Sequence, residues 1–414
     1  MDIAFIHPSA PSAEGTGATH SADQIINHIA GRSHDVTVYC TSEYDYQAQQ
    51  DLYDVEELGV RRGKIYNFAE ELNKAITRKE SELGKYDIVH SYLMRSIPAM
   101  GHLGTNTQTS PVVTLNAFGG ICPRNDLLYM NQAPCESNGL LKCATCSVHE
   151  STTINWQEDN SIPWDILRSG NVFARRMRNY RMIRKGYKNL PGISHFQALS
   201  PHVKERYDAF GYPADKISVI PNMFDDHFNV PHQSDFTEPF NILFVGTLRH
   251  RKGTDRLIDI AQKLHREHEC KFNLSIAGDG DLRPTLEREI DKEKLSDNIT
   301  LHGHVPYNQL PTMYSKHDLF LYTGRWDEPF GRVFLEAMGA STPIFSTDVG
   351  SIDKIIGDCG QTVTYTSADE FTQELTSVLD PAILRSYSEQ AESQLRQYSP
   401  EVITEKFVEL YDRV

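Results

Sequence analysis

Glu328-Pro329-Phe330-Gly331-Arg332-Val333-Phe334-Leu335-Glu336-Ala337-Met338-Gly339 runs from a proline–glycine turn into an apolar helical stretch. Gly331 allows a sharp entry into a helix, and the two glutamates lie eight positions apart, a little over two turns. Glu336 is therefore expected deeper along the face on which the helix begins. A helix start offers N–H groups and a positive dipole end that suit a diphosphate, and a carboxylate below it can accept hydrogen bonds from sugar hydroxyls. On their own, two glutamates so spaced more often mark the solvated face of an ordinary helix. The flanking sequence decides between the readings.

Upstream and downstream of this stretch, short β-branched runs alternate with helical ones. Phe240–Gly246, Phe272–Gly278, Ile299–Gly303, Leu319–Tyr322 and Pro343–Ser346 read as strands of one unit. An earlier unit carries Ile3–Ile6, His34–Tyr39, Tyr86–His90, Pro111–Leu115 and Phe196–Ser200. Strands separated by helices imply parallel pairing and an α/β sheet covered on both faces. The polar stretch between the units reads as a linker, and residues past about 381 read as charged helices without strands. The expected organisation is 1–225, a linker at 226–239, a second domain at 240–380 and C-terminal helices at 381–414. Two such sheets facing one another suggest a central cleft at their carboxyl ends.

A chain of 414 residues exceeds one ordinary core, in keeping with two domains. Lys and Arg number 41 against 56 Asp and Glu, a net charge of -15, which argues against a general nucleic-acid binder. There is no apolar run long enough to span a membrane, and the N-terminus does not read as a signal peptide. A cytoplasmic protein is expected.

Taken together, these stretches resemble the retaining family 4 glycosyltransferases (glycosyl transferases group 1) of the GT-B fold. Glu328–Gly339 is similar to their EPFG-x3-LEAM signature. Val245-Gly246-Thr247-Leu248…Lys252-Gly253 is similar to their phosphate-binding turn, Ile276–Gly280 to their G-x-G turn, and Ile220–Met223 to the IPNG stretch before their linker. The resemblance implies an α/β GT-B fold of two Rossmann-like, doubly wound parallel sheets. It also implies transfer of a sugar from a nucleotide-diphosphate sugar to an acceptor hydroxyl, in glycan, polysaccharide or glycolipid synthesis. By position, Glu336 would bind the donor's ribose, Glu328 would face the transferred sugar, and the backbone at Phe330, Gly331 and Arg332 would approach sugar and diphosphate. Lys252 would neutralise the diphosphate, the turn at Gly246 and Gly278 would approach it, and Gly15-Thr16-Gly17 would close over the phosphates.

Departures from the family pattern bear on mechanism. Thr247 stands where an arginine is usual, leaving Arg249 or Arg251 to supply the charge. Asn116 stands where a histidine is usual; it donates and accepts hydrogen bonds but is no base near neutral pH. Asp279-Gly280-Asp281 spells an Asp-x-Asp motif but falls on the G-x-G turn, so donor binding without a catalytic metal is expected. The other reading of the chain is a catalytically silent nucleotide-sugar-binding or scaffold protein.

Cys122, Cys135, Cys143 and Cys146 fall within 25 residues and end in a Cys-x2-Cys pair, inside an insertion at about 117–150. That bite suits a structural zinc; separate thiols, two disulfides and an iron–sulfur cluster are the alternatives. Between Arg168 and Lys188 lie eight basic residues and no acid, with Phe173, Met177, Tyr180, Ile183 and Tyr187 at helical spacing. Such a helix is either a solvated face or a surface for an anionic membrane at the inner face or a lipid-linked glycan acceptor.

Overall fold

The computed structural model describes residues 1–12, 17–32, 34–43, 52–61, 67–153, 162–266 and 271–414, with side chains at all of these except 152, 153 and 162–168. The chain forms two compact units, Met1–Asn222 with Ile403–Val414, and Met223–Val402. Unit 1 is built on β1 (Asp2–His7), β2 (Asp35–Cys40), β3 (Asp54–Glu57), β4 (Ile88–Ser91) and β5 (Ser110–Leu115). A small hairpin, β6 (Leu128–Tyr129) and β7 (Ala133–Pro134), precedes β8 (His195–Ala198) and β9 (Ile217–Val219). The seven-stranded sheet runs β3-β2-β1-β4-β5-β8-β9, every pair parallel.

Unit 2 carries β10 (Phe240–Val245), β11 (Phe272–Ala277), β12 (Ile299–Gly303), β13 (Leu319–Tyr322), β14 (Ile344–Thr347) and β15 (Gly360–Val363). These form a parallel six-stranded sheet in the order β12-β11-β10-β13-β14-β15. In both sheets the order reverses beside the unit's first strand, which is the doubly wound arrangement. Central strands are apolar throughout because helices cover both faces: Ile3, Ala4, Phe5, Ile6, Ile242, Leu243 and Phe244 are all buried. The stretch read as a linker packs onto unit 2, with Phe228 and Phe236 buried.

The C-terminal helix, Pro400–Arg413, gives its last turns to unit 1. Ile403, Phe407, Leu410 and Tyr411 are buried there. The Tyr411 hydroxyl lies 2.6 Å from His90 Nδ1, and Thr114 Oγ1 lies 2.8 Å from His90 Nε2. His90 is fully buried on β4, and burial pulls its pKa down to about 3, so the native imidazole is neutral.

Tyr411→Phe should leave one ring nitrogen of His90 without a partner and cost about 1–3 kcal/mol, read by urea unfolding at pH 7. Because the folded pKa lies below the ordinary histidine value, the unfolded chain binds a proton first. Stability should therefore fall as pH drops below about 6.5 toward 3. His90→Gln should flatten that part of the pH profile.

Candidate functional site

Ligands of doubly wound sheets bind at the carboxyl ends of strands where the order reverses, which in unit 2 is between β10 and β13. Beyond β10 the chain turns at Gly246, whose N–H donates to Ala277 O at 3.0 Å, with Gly278 at the end of neighbouring β11. Thr247 and Arg249 follow, then a short helical turn, His250–Lys252. Gly253 ends that turn at φ +68°, and a Cβ there would lie 1.7 Å from Thr323 O. Only glycine lets this loop press against the chain leaving β13. That contact aims Lys252 at Glu328.

Glu328 is buried, and three donors converge on its Oε2: Lys252 Nζ at 2.6 Å, the Tyr322 hydroxyl at 2.6 Å and Trp326 Nε1 at 2.9 Å. Burial pushes its pKa up, but the Lys252 charge and the three hydrogen bonds outweigh burial and hold it below the usual carboxylate value. Glu328 is therefore an anion. The Lys252 ammonium also sits 5.3 Å from the Tyr322 ring centre and 5.4 Å from that of Trp326, and the Arg251 guanidinium lies 4.7 Å from the Trp326 ring.

Gly331 takes φ +79°, and a Cβ there would come within 2.5 Å of the Phe334 ring. The helix Arg332–Gly339 starts immediately after it, without a side-chain cap, and the Phe334 N–H donates to Gly331 O at 3.0 Å. Phe330 is buried against Tyr398. One turn into the helix, the buried Glu336 accepts from the Tyr314 hydroxyl at 3.2 Å, and Arg332 Nε lies 3.9 Å from its other oxygen. Burial raises the Glu336 pKa, and Arg332 and Tyr314 offset only part of that. Arg332 also donates to the Tyr307 hydroxyl at 2.7 Å, which donates to Asp225 Oδ2 at 2.8 Å. The two glutamates of the motif are thus driven in opposite directions, one toward the anion and one toward the acid.

The remaining positions singled out by sequence divide between the units. Arg249 is exposed, 3.9 Å from Asp281 Oδ2, and Asp279 lies 4.0 Å from Arg283. Arg251 Nε is buried without a hydrogen-bond partner. Asn116 belongs to unit 1, following β5; its amide donates to Tyr92 O at 3.1 Å while its oxygen is buried and unpaired. Gly17 opens the helix Gly17–Ala30 in the same unit; Gly15 and Thr16 lie outside the described residues. Tyr322, Trp326, Tyr314, Tyr307 and Asp225 were not singled out by sequence. Trp326 and Tyr322 stand two and six positions before Glu328, a usable signal, whereas the others come from distant segments.

The cysteine reading requires correction. Among the described residues no group of three or more His, Cys, Asp or Glu side chains could hold a metal, so a zinc site at Cys122, Cys135, Cys143 and Cys146 has no support. Cys135 is turned to Ser137 O at 3.2 Å, and Cys122 lies 4.0 Å from Asp126 Oδ1. Cys146 accepts from Arg124 Nη1 at 3.6 Å. Arg124 pairs with Asp126 and Glu150, and Arg176 pairs with Glu150. On the basic helix, Arg175, Arg181, Arg184, Lys185 and Lys188 are exposed, and none forms an ion pair among the described residues; the Arg168 side chain lies outside them.

Residues 228–394 match the model of the family glycosyl transferases group 1. Alpha-D-kanosaminyltransferase of Streptomyces kanamyceticus is 33% identical over 147 residues, 35% of this chain and 37% of that protein. Mannosylfructose-phosphate synthase of Agrobacterium fabrum is 32% identical over 164 residues, 36% of each. The match therefore spans little more than a third of these relatives' lengths. Among solved structures, HepE of Anabaena in complex with UDP superposes with TM-score 0.68 at 15% identity, covering 100% of both chains. Sucrose-phosphate synthase of Thermosynechococcus elongatus superposes with TM-score 0.69 at 17% identity, covering 100% of this chain and 98% of that one. The chain has the GT-B fold.

Lys252→Met should leave the buried Glu328 carboxylate with neutral donors only, a loss of about 3–5 kcal/mol at pH 7. The depressed Glu328 pKa contributes stability that is present above the ordinary carboxylate range and lost as pH falls through it. Urea unfolding at pH 7 and pH 4 should therefore show the gap between wild type and Lys252→Met narrowing at the lower pH.

Proposed function

We propose that the protein is a retaining family 4 glycosyltransferase that moves a sugar from a nucleotide-diphosphate sugar to an acceptor hydroxyl. The observation that carries this reading is the Lys252–Glu328 pair, fixed by Tyr322 and Trp326 at the switch point of unit 2, beside a helix start and a second buried glutamate. Lys252, the turn at Gly246 and Gly278 and the N–H groups at Phe330, Gly331 and Arg332 receive the diphosphate. Arg249 or Arg251 supplies the charge that Thr247 lacks. Glu336 takes the ribose hydroxyls. Glu328 offers its Oε1 to a hydroxyl of the transferred sugar.

Glu328 is a weak nucleophile, because its charge is already shared among three donors, so it orients the sugar and forms no bond to it. The anomeric carbon loses its bond to the phosphate oxygen and gains one to the acceptor oxygen on the same face. The acceptor proton passes to the departing diphosphate, since Asn116 cannot take it near neutral pH. The diphosphate is held by cations and helix N–H groups without a divalent metal. The acceptor is a glycan or lipid-linked glycan. No helix among the described residues is long and apolar enough to cross a membrane. The five exposed cations of the basic helix suit an anionic inner membrane surface, each contributing roughly 1 kcal/mol near it.

The test is a melting-temperature panel of UDP, GDP, ADP and TDP with their common sugars in chelator; the UDP bound by HepE makes UDP the first to try. One nucleotide at a hundredfold excess over its Kd should stabilise by about 2.7 kcal/mol. Glu336→Ala should weaken binding about tenfold or more. No shift with any nucleotide would sink the reading. A shift with no transfer to any acceptor or to water would leave the silent-binder alternative.

A further inference from the structure

We infer that unit 1 docks on an anionic lipid surface through an aliphatic stripe on the helix Leu140–Thr153, acting together with the cationic face of the basic helix beside it. Six large apolar side chains are exposed among the described residues, and Leu140, Leu141 and Val148, at 60%, 82% and 49%, are three of them. At 3.6 residues per turn they share one side of the helix with Ala144, an arc of about 100° that holds no charged residue. Cys143, Cys146 and Glu150 take the other side and are buried. Thr145, at the edge of the stripe, turns its hydroxyl back onto Leu141 O at 3.1 Å and Lys142 O at 3.0 Å, so it brings no unmet polar group.

The helix carrying the stripe is fastened to the basic helix, Ile162–Asn189, by its buried side. Arg176 Nε donates to Glu150 Oε2 at 2.8 Å, and Ser169 Oγ donates to Ser151 O at 3.0 Å. Just before the stripe, Asn138 Nδ2 donates to the Tyr187 hydroxyl at 3.2 Å. On the basic helix, Arg181, Arg184, Lys185 and Lys188 recur at i, i+3, i+4 and i+7, which is one face, and all four are exposed. Asn179, Ile183 and Gly186, on the opposite face, are buried. Apolar and cationic surfaces thus belong to two helices fixed to one another.

Width and charge select the occupant. A stable protein partner covers roughly 20–30 residues a side and seats large anchors in pockets. Four aliphatic side chains on one helix offer neither. A bilayer asks for less: a few aliphatic side chains among the acyl chains and cations at headgroup level suffice when they act together. The cations choose an anionic surface. Because the chain as a whole carries a net charge of -15, such a surface attracts it only where cations cluster, and the paired helices set the orientation. The inference deepens the membrane contact proposed for the basic helix by assigning its apolar half. Its test uses no nucleotide, so its failure leaves the donor reading standing.

Flotation of the full chain is measured with vesicles of phosphatidylcholine alone and of phosphatidylcholine with about one-third phosphatidylglycerol, at low and high salt. Wild type is compared with Leu140→Gln/Leu141→Gln and with Arg181→Gln/Arg184→Gln/Lys185→Gln/Lys188→Gln. Wild type should bind the anionic vesicles at least about tenfold more tightly than the neutral ones. Each variant should lose about tenfold or more of that affinity, with melting temperatures near wild type because every substituted side chain is exposed. Binding left in the leucine variant should remain salt-sensitive, whereas binding left in the cation variant should not. Four results would each overturn the inference: no binding by wild type, equal binding to both vesicles, undiminished binding by the leucine variant, or a wild-type dimer in light scattering that the leucine variant lacks.

Discussion

The chemistry available to unit 2 depends on how one buried negative charge is held. Taking a carboxylate out of water costs roughly several kcal/mol, and the interior returns that only when an opposite charge and well-placed donors meet it. At Glu328 the compensation comes from Lys252, 76 positions earlier in the chain, and from two aromatic residues immediately before it. Lys252 reaches the carboxylate because Gly253 lets its loop touch the Thr323 carbonyl. Any side chain at 253 would push the cation away and leave the anion stranded. The conformation of a surface loop and the ionisation of a buried acid are thus one constraint.

All three donors occupy the same oxygen of Glu328, which fixes the carboxylate plane and leaves Oε1 as an acceptor without a protein donor among the described residues. Glu336 is treated differently. Its partners are a tyrosine at 3.2 Å and an arginine at 3.9 Å that also serves Tyr307, and burial outweighs them. A carboxyl group under-supplied with donors gains from hydroxyl groups that bring their own. Two identical side chains eight positions apart therefore offer different chemistry, and the difference lies in what surrounds each.

The doubly wound fold was legible because central strands are read by their apolar runs, as in Ile3–Ile6 and Phe240–Val245. The strands of the two large sheets that escaped the reading are β3, β9 and β15, all at sheet edges, where exposure removes that run; β3 is Asp-Val-Glu-Glu. Glu328, Glu336 and Lys252 stood out through local spacing and resemblance. Tyr314, Tyr307 and Asp225 did not, since their meeting with the motif is a product of packing alone. The cysteines show the opposite failure. Their spacing suits a metal, but Arg124 lies against the sulfur of Cys146, and no local pattern announces an arginine 22 positions away.

Charge left unmatched carries the complementary information. In a chain of net -15, acids are plentiful, so a cation without one has not simply lacked for partners. Two half-buried arginines have found acceptors: Arg325 meets Asp255 with both terminal nitrogens, and Arg256 Nη1 reaches the carbonyls of Thr323 and Gly324, although its Nε is unpaired. Arg251 has an aromatic ring but no acceptor for its buried Nε. It stands just beyond the carboxyl end of β10, where such sheets receive ligands. A native state that tolerates an unmatched guanidinium there is less stable without ligand than it could be. Binding an anion recovers that loss, so the position of the unmatched charge marks where affinity for a ligand is stored.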